Sequence, residues 1–367
     1  MSRVDERNEQ VTAILNAFFL RASNEQLVVD ERLYSTYLNK LFTTTVWGFR
    51  EILLVVIVAM KLDRHYKASQ HFYACNPRAI YETPIKQFLI EKNLPHRKSG
   101  PLNVAKAAEG LNAAWAAQRR PKEVAESVVQ IICLLESNTA LVDWVGISLM
   151  RRFIAETRRI ETLNIEIDAS SDPERLFYLS SELVANAPDA GNTPQKIASL
   201  LLWTYHTYMH TRIKVTGGDD RASVTSTTSK KPGDVNEEDF CTGKIYKVYE
   251  ITVKPFDLAR IRDSYDCIKI YNAENDTEIN EVIVICRPED CPDEMSRNST
   301  NLYLGSYKYQ DVIYYYWDIY EWMCFMLQRM TAEARSMYYT LLNSYIAEIN
   351  TAESVKTLWL QLHRSES

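Results

Sequence analysis

The chain has 367 residues, 46% of them hydrophobic and 25% charged, with a formal net charge of -6. That balance excludes a disordered polyelectrolyte and leaves room for two domains, each with its own core. The charge neither requires nor forbids a nucleic-acid partner, because an acidic protein can bind phosphates through a local basic groove.

The N-terminus is charged and lacks the apolar segment of a secretory signal. The longest apolar run, Ile52 to Met60, has nine residues, far fewer than the ~20 of a membrane-spanning helix. A cytoplasmic protein with no membrane partner is expected. The cysteines at 75, 133, 241, 267, 286, 291 and 324 contain no C-x-x-C pair, which fits reduced thiols better than a disulfide framework or a structural zinc site. Cys286 and Cys291 are expected to be structural thiols.

From Val11 to about Thr211 apolar residues recur at helical spacing, as in Val124, Val128, Val129, Ile132 and Leu135. Residues 1–193 are therefore expected to form a mainly helical domain. The basic loop 92–103 interrupts it and offers Arg97 and Lys98 as candidate DNA contacts. A helix starting at Pro194 opens the second domain, 194–367, and gives way to a short strand at Arg212–Thr216. Residues 216–231 are rich in hydroxyls and poor in apolar side chains, the pattern of a loop. Its Arg221, Ser226, Thr227, Thr228, Ser229, Lys230 and Lys231 suit the reading of base edges and phosphates.

Two strands are expected next, with Asn236 to Gly243 as the turn between them, then a helix from Asp257 and a strand at Glu281–Cys286. A helix between two strands implies a crossover and a parallel pairing, so the fold class is α/β (α+β), a mixed sheet core following a helical half. Beyond Leu302 the chain is expected to be helical again, with Tyr314 to Trp317 in one aromatic helix and Ala332 to about His363 in another.

In a strand, residues two apart share a face, so Glu250, Thr252 and Lys254 point one way. A central strand of such a sheet is covered on both faces, and a carboxylate buried there needs a partner, for which a divalent cation serves. Asp234 follows Gly233 and stands sixteen positions before Glu250, a gap that suits two strands of one hairpin. His206 and His210, although four apart on one helix, are expected to be packing or surface residues.

Gly233-Asp234, a strand with Glu250 and Lys254, a helix and an apolar strand together resemble the PD-(D/E)xK nuclease superfamily of restriction endonucleases. The resemblance runs from about Arg212 to Cys286. It implies that Asp234 and Glu250 hold Mg2+ and that a lysine places or polarises the attacking water. The family usually separates the second acid and the lysine by one residue, whereas three separate Glu250 from Lys254. Either Lys254 keeps its role, or Thr252 occupies the lysine position. Glu182 is an auxiliary acid candidate. Pro77-Arg-Ala79 and Pro101-Leu-Asn103 add a likeness to the SacI-like restriction enzymes. The resemblance implies a Mg2+-dependent, sequence-specific endonuclease for double-stranded DNA in restriction or other anti-phage defence, working as a homodimer. The alternative is a non-catalytic helical interaction or DNA-binding protein in which Asp234, Glu250 and Lys254 form only a charge pair.

Overall fold

The structure, a computed structural model, describes residues 2–97, 100–218, 231–298 and 300–364. The fold is α+β, and the chain divides into two compact units, Met1–Thr162 and Leu163–Ser367. The division falls before the expected boundary near residue 193, so one further helix, Pro173–Asn186, belongs with the sheet. Among the described residues no single helix is long and apolar enough to cross a membrane.

The first unit is helical. Its longer helices are α1 (Arg3–Ala22), α2 (Gly48–Leu62), α3 (Lys122–Ser137) and α4 (Val142–Glu161). The nine-residue apolar run is the centre of α2, and every residue of that helix from Gly48 to Met60 is buried, so α2 is the core element around which the others pack. Burial extends to Arg50, whose guanidinium lies over the rings of Trp47 and Phe42 at 4.6 and 4.7 Å and 3.6 Å from Glu156. A buried cation needs such company, because desolvation alone would be prohibitive.

The second unit begins with α5 (Pro173–Asn186) and α6 (Asn192–Tyr208). Asp172 caps α5 and Pro173 takes its first position, where the missing N–H is not needed. Leu176, Leu179 and Leu183 recur at the three-to-four residue spacing of one helix face and are fully buried. They share a core with Leu201 of α6 and with residues near the C-terminus, among them Met323, Tyr338 and Trp359. This shared core explains why α5 joins the sheet.

The sheet follows as β1 (Ile213–Thr216), β2 (Val235–Asp239), β3 (Ile245–Ile251), then α7 (Leu258–Asn275), β4 (Glu281–Cys286), β5 (Ser296–Arg297), β6 (Tyr303–Tyr309) and β7 (Val312–Asp318). The strand order is β1-β2-β3-β4-β7-β6-β5. β2 pairs antiparallel with β1 and with β3, while β3 pairs with β4, and β4 with β7, in parallel. The crossover α7 between β3 and β4 thus gives the expected parallel pairing. Ile261 and Ile268 of α7 cover one face through Val248, Val282 and Val284. Tyr249, Ile251 and Ile285 turn to the other face, where α6 and the C-terminal helices α8 (Ile319–Arg329), α9 (Ala332–Ala347) and α10 (Glu353–Arg364) complete the core.

Three local expectations are corrected. The aromatic segment Tyr314–Trp317 lies in β7, not in a helix, and its residues alternate buried and half-buried. β-Branched and aromatic side chains suit a pleated surface, and a left-handed Gln310 before Asp311 turns the chain between β6 and β7. The expected helix from Ala332 to His363 is two helices, broken between Ala347 and Glu353. Asn236 to Asp239 belong to β2, so the hairpin turn is confined to Phe240 to Lys244. None of the seven cysteines is in a disulfide, and the Cys286 and Cys291 sulfurs lie 3.7 Å apart.

Behind the sheet, the Ser180 hydroxyl of α5 bonds the Tyr338 hydroxyl of α9 at 2.7 Å, both residues being inaccessible to solvent. Ser180→Ala leaves a buried phenol without its partner and should destabilise the protein by about 1–3 kcal/mol. Adding Tyr338→Phe should restore part of that loss, which a double-mutant cycle by urea denaturation would measure. Additive losses would show that the two hydroxyls are not coupled.

Candidate active site

β2 and β3 pair with Val235 opposite Tyr249, so Asp234, one residue before β2, faces Glu250. The local chain is built for this approach. Gly217, at the end of β1, has φ +99°, and any side chain there would collide with the Asp234 carbonyl; glycine supplies both the left-handed conformation and the clearance. From α6, the Gln195 side-chain amide donates to the carbonyls of Gly217 and Asp234 at 3.2 and 3.3 Å. The backbone of Asp234 is therefore tied to two neighbouring elements before its carboxyl does anything.

That carboxyl accepts the N–H of Ile251 at 2.9 Å, and it lies close enough to the Glu250 carboxyl for each to shift the other's titration. Glu250 is 6% exposed. The Ser264 hydroxyl of α7 donates to its Oε1 at 3.0 Å. Burial raises the pKa of Glu250 to about 8, the Asp234 charge adding to the rise, while Arg260 and Ser264 oppose it. Burial also raises Asp234, to about 6, against the lowering effects of the Ile251 N–H, Arg260 and the neighbouring Glu250 carboxyl. The pair thus retains a proton near neutral pH, because like charges this close in poorly hydrated surroundings disfavour double ionisation.

β3 ends at Ile251. The Thr252 N–H still bonds the Ile285 carbonyl of β4 at 3.0 Å, and Thr252 is buried. Its hydroxyl closes a small turn with the backbone of Lys254. Lys254 itself lies three residues beyond the strand and is exposed, so the shared face expected for Glu250, Thr252 and Lys254 stops at Thr252. The cation whose field both carboxyls feel is Arg260, in the first turn of α7. Its Nη1 donates to Thr252 Oγ1 at 2.6 Å, and its guanidinium lies 4.8 Å from the centre of the Phe256 ring. Neither Arg260 nor Ser264 emerges from strand periodicity. Their spacing of four, one helical turn, is the signal that places them on one face of α7.

The other sequence candidates fall outside this cluster. Glu182 lies within α5, bonded by Asn186 one turn on at 2.9 Å, and among the described residues no bond joins it to Asp234 or Glu250. Arg97 belongs to the first unit, its N–H donating to the buried Glu51 at 2.5 Å. Lys231 is half-buried at the start of the turn leading to Asp234. Lys98, Arg221, Ser226, Thr227, Thr228, Ser229 and Lys230 lie outside the described residues. His206 engages both ring nitrogens, with Thr211 Oγ1 at 2.9 Å and Glu237 Oε1 at 3.1 Å. Tyr249 donates to the same Glu237 oxygen at 2.7 Å, so His206 serves a packed polar cluster on the opposite face of β2 and β3.

Two carboxylates from adjacent strands suit a hard cation such as Mg2+, which takes one or two protein carboxylates and fills its remaining positions with water or phosphate oxygens. They do not suit a tetrahedral zinc cage, and among the described residues no cluster of three or more His, Cys, Asp or Glu side chains could hold a metal. No known protein-family model matches the chain, and no curated protein matches it.

The acid pair sets a pH dependence whose sign follows from linkage. In the folded, metal-free protein both pKa values lie above those of the unfolded chain, so the folded state holds the extra protons. Stability is full below pH ~4, the unfolded carboxyl range, and declines as pH rises through about 6 and about 8. Glu250→Gln removes most of that decline. With EDTA present, its melting temperature should exceed wild type by several degrees at pH 8.5 and by little at pH 5. Parallel melting curves for the two proteins across this range would remove Glu250 as the source of the shift.

Proposed function

We propose that the second unit is a Mg2+-dependent nuclease that hydrolyses phosphodiester bonds of double-stranded DNA, a member of the PD-(D/E)xK kind. The observation that carries this reading is the Asp234–Glu250 pair: two carboxyls set opposite each other across the β2–β3 hairpin, close enough for each to shift the other's titration. The crossover helix and parallel strand that the resemblance implies follow directly after them. In this reading the protein cuts at a specific sequence as a homodimer, two-fold symmetry matching a palindromic site.

Asp234 and Glu250 would hold the cation. Bound Mg2+ would offset the charge on the phosphate and yield a water nucleophilic near neutral pH. To serve as ligands the carboxyls must first release the proton they retain, and the Ile251 N–H and the Ser264 hydroxyl keep one oxygen of each in place as they do so. Hydrolysis then adds water across one ester bond: its oxygen joins phosphorus, the ester oxygen departs, and one proton from the water ends on that leaving oxygen.

Purified protein should convert plasmid or phage DNA into discrete fragments with Mg2+ and leave it intact with EDTA. Asp234→Asn should slow cleavage at least ~100-fold, the scale of one removed catalytic group, and abolish Mn2+ binding by calorimetry while retaining a cooperative melt. A protein that binds no Mn2+ and cuts none of several unmethylated genomes would instead carry a structural charge pair.

A further inference from the structure

We propose that Arg260 is the catalytic cation of this site, a helix side chain standing where the resembled nucleases place a strand lysine; the inference rests on the nuclease reading above. The argument is geometric. Two contacts join α7 to the end of β3: Ser264 to Glu250 at 3.0 Å, and Arg260 to Thr252 at 2.6 Å. Residues 250 and 252 are successive positions on one face of the strand, ~7 Å apart along it. Residues 260 and 264 are one turn apart on the helix, a rise of ~6 Å for four residues. The two elements therefore run alongside each other in matched steps, and the second step sets the guanidinium on residue 252, two beyond the second acid.

Thr252 cannot supply a charge, and its hydroxyl is committed to Arg260 and to the turn at Lys254. Lys254 is exposed past the end of the strand. Arg260 is fixed from three directions: by Thr252, by the Phe256 ring beneath it, and by its place in the first turn of α7, where the Asp257 carboxylate caps its N–H at 3.1 Å.

The chemistry of the substitution follows from the group. A guanidinium is planar, keeps its proton throughout the working range, and presents a fork of donors that matches two phosphate oxygens. Arg260 would thus bind and neutralise the scissile phosphate as charge builds on its oxygens, and would not carry protons to or from the attacking water.

The test compares full-length wild type with Arg260→Gln, Arg260→Lys and Lys254→Ala, by single-turnover cleavage in Mg2+, Mn2+ calorimetry, duplex binding in Ca2+ and thermal melting. Arg260→Gln should cleave at least ~100-fold more slowly, the scale of one lost electrostatic donor. Its Mn2+ and duplex affinities should change only a few-fold. Arg260→Lys, keeping charge without the fork, should recover at least ~10-fold of that rate and serve if the glutamine variant folds poorly. The inference is overturned if Arg260→Gln cuts at near wild-type rate, if the loss falls on Lys254→Ala instead, or if both Arg260 variants lose Mn2+ binding and melting temperature together, which would mark a structural residue. A wild type that takes up Mn2+ but cuts no duplex would sink the nuclease reading and this inference with it, and is distinguished by the silence of the parent protein.

Discussion

Two carboxyl groups set against each other, one buried and one half-buried, cannot both be ionised without help. Two like charges ~4 Å apart at an effective dielectric of ~20 repel by about 4 kcal/mol. Either a proton or a cation must sit between Asp234 and Glu250, and the surrounding structure is arranged to keep that requirement in force. The Ile251 N–H and the Ser264 hydroxyl hold the carboxyls in place, and Arg260 adds a positive field without joining the pair. Relaxing the pair into solvent would remove the conflict, but Glu250 lies on a strand paired on both sides.

The sheet supplies that confinement through its mixed pairing. The antiparallel hairpin of β2 and β3 sets Asp234 across from Glu250, and the parallel pairing of β3 with β4 requires a crossover, which lays α7 over the same face. One face of β3 thus receives both acids and the polar side chains of α7. The other face, with Tyr249 and Ile251, is given to the large apolar core under the C-terminal helices. Val248, Ile261 and Val284 form an apolar cluster on the acid face as well, so the acids are set among apolar side chains while the larger core on the other face stays whole.

The acid pair was legible in the sequence because it depends on quantities the sequence carries: a hairpin-sized interval and a period of two. The helical first unit, the crossover helix and the parallel strand were legible for the same reason. Lys254 was misplaced on the strand face because periodicity does not show where a strand stops. Here the Thr252 hydroxyl folds back on the Lys254 backbone, and Pro255 follows with no N–H to continue a ladder. Arg260 was missed because its position depends on the rotational setting of α7 against the sheet, which side-chain packing decides. The β6–β7 hairpin read as helix because tyrosines and a tryptophan crowd both periodicities, and the pairing that selects one of them lies in β4, remote in sequence. The boundary between units was likewise hidden, since a helix does not announce which core its apolar face will join.

Every group at the centre of the site, from Asp234 to Ser264, comes from one hairpin and the helix that follows it. Such a segment closes on itself through short loops, so its loop-closure entropy is small. It behaves as a cassette: what it demands of the remaining chain is a flanking strand, a supporting core and correct docking of α7, rather than particular side chains. Sequence can then drift widely in the helical first unit and in the C-terminal helices while the chemistry stays in one short stretch. A search for similar sites in other chains is better served by the spacing of Asp234, Glu250, Arg260 and Ser264 than by likeness over the full length.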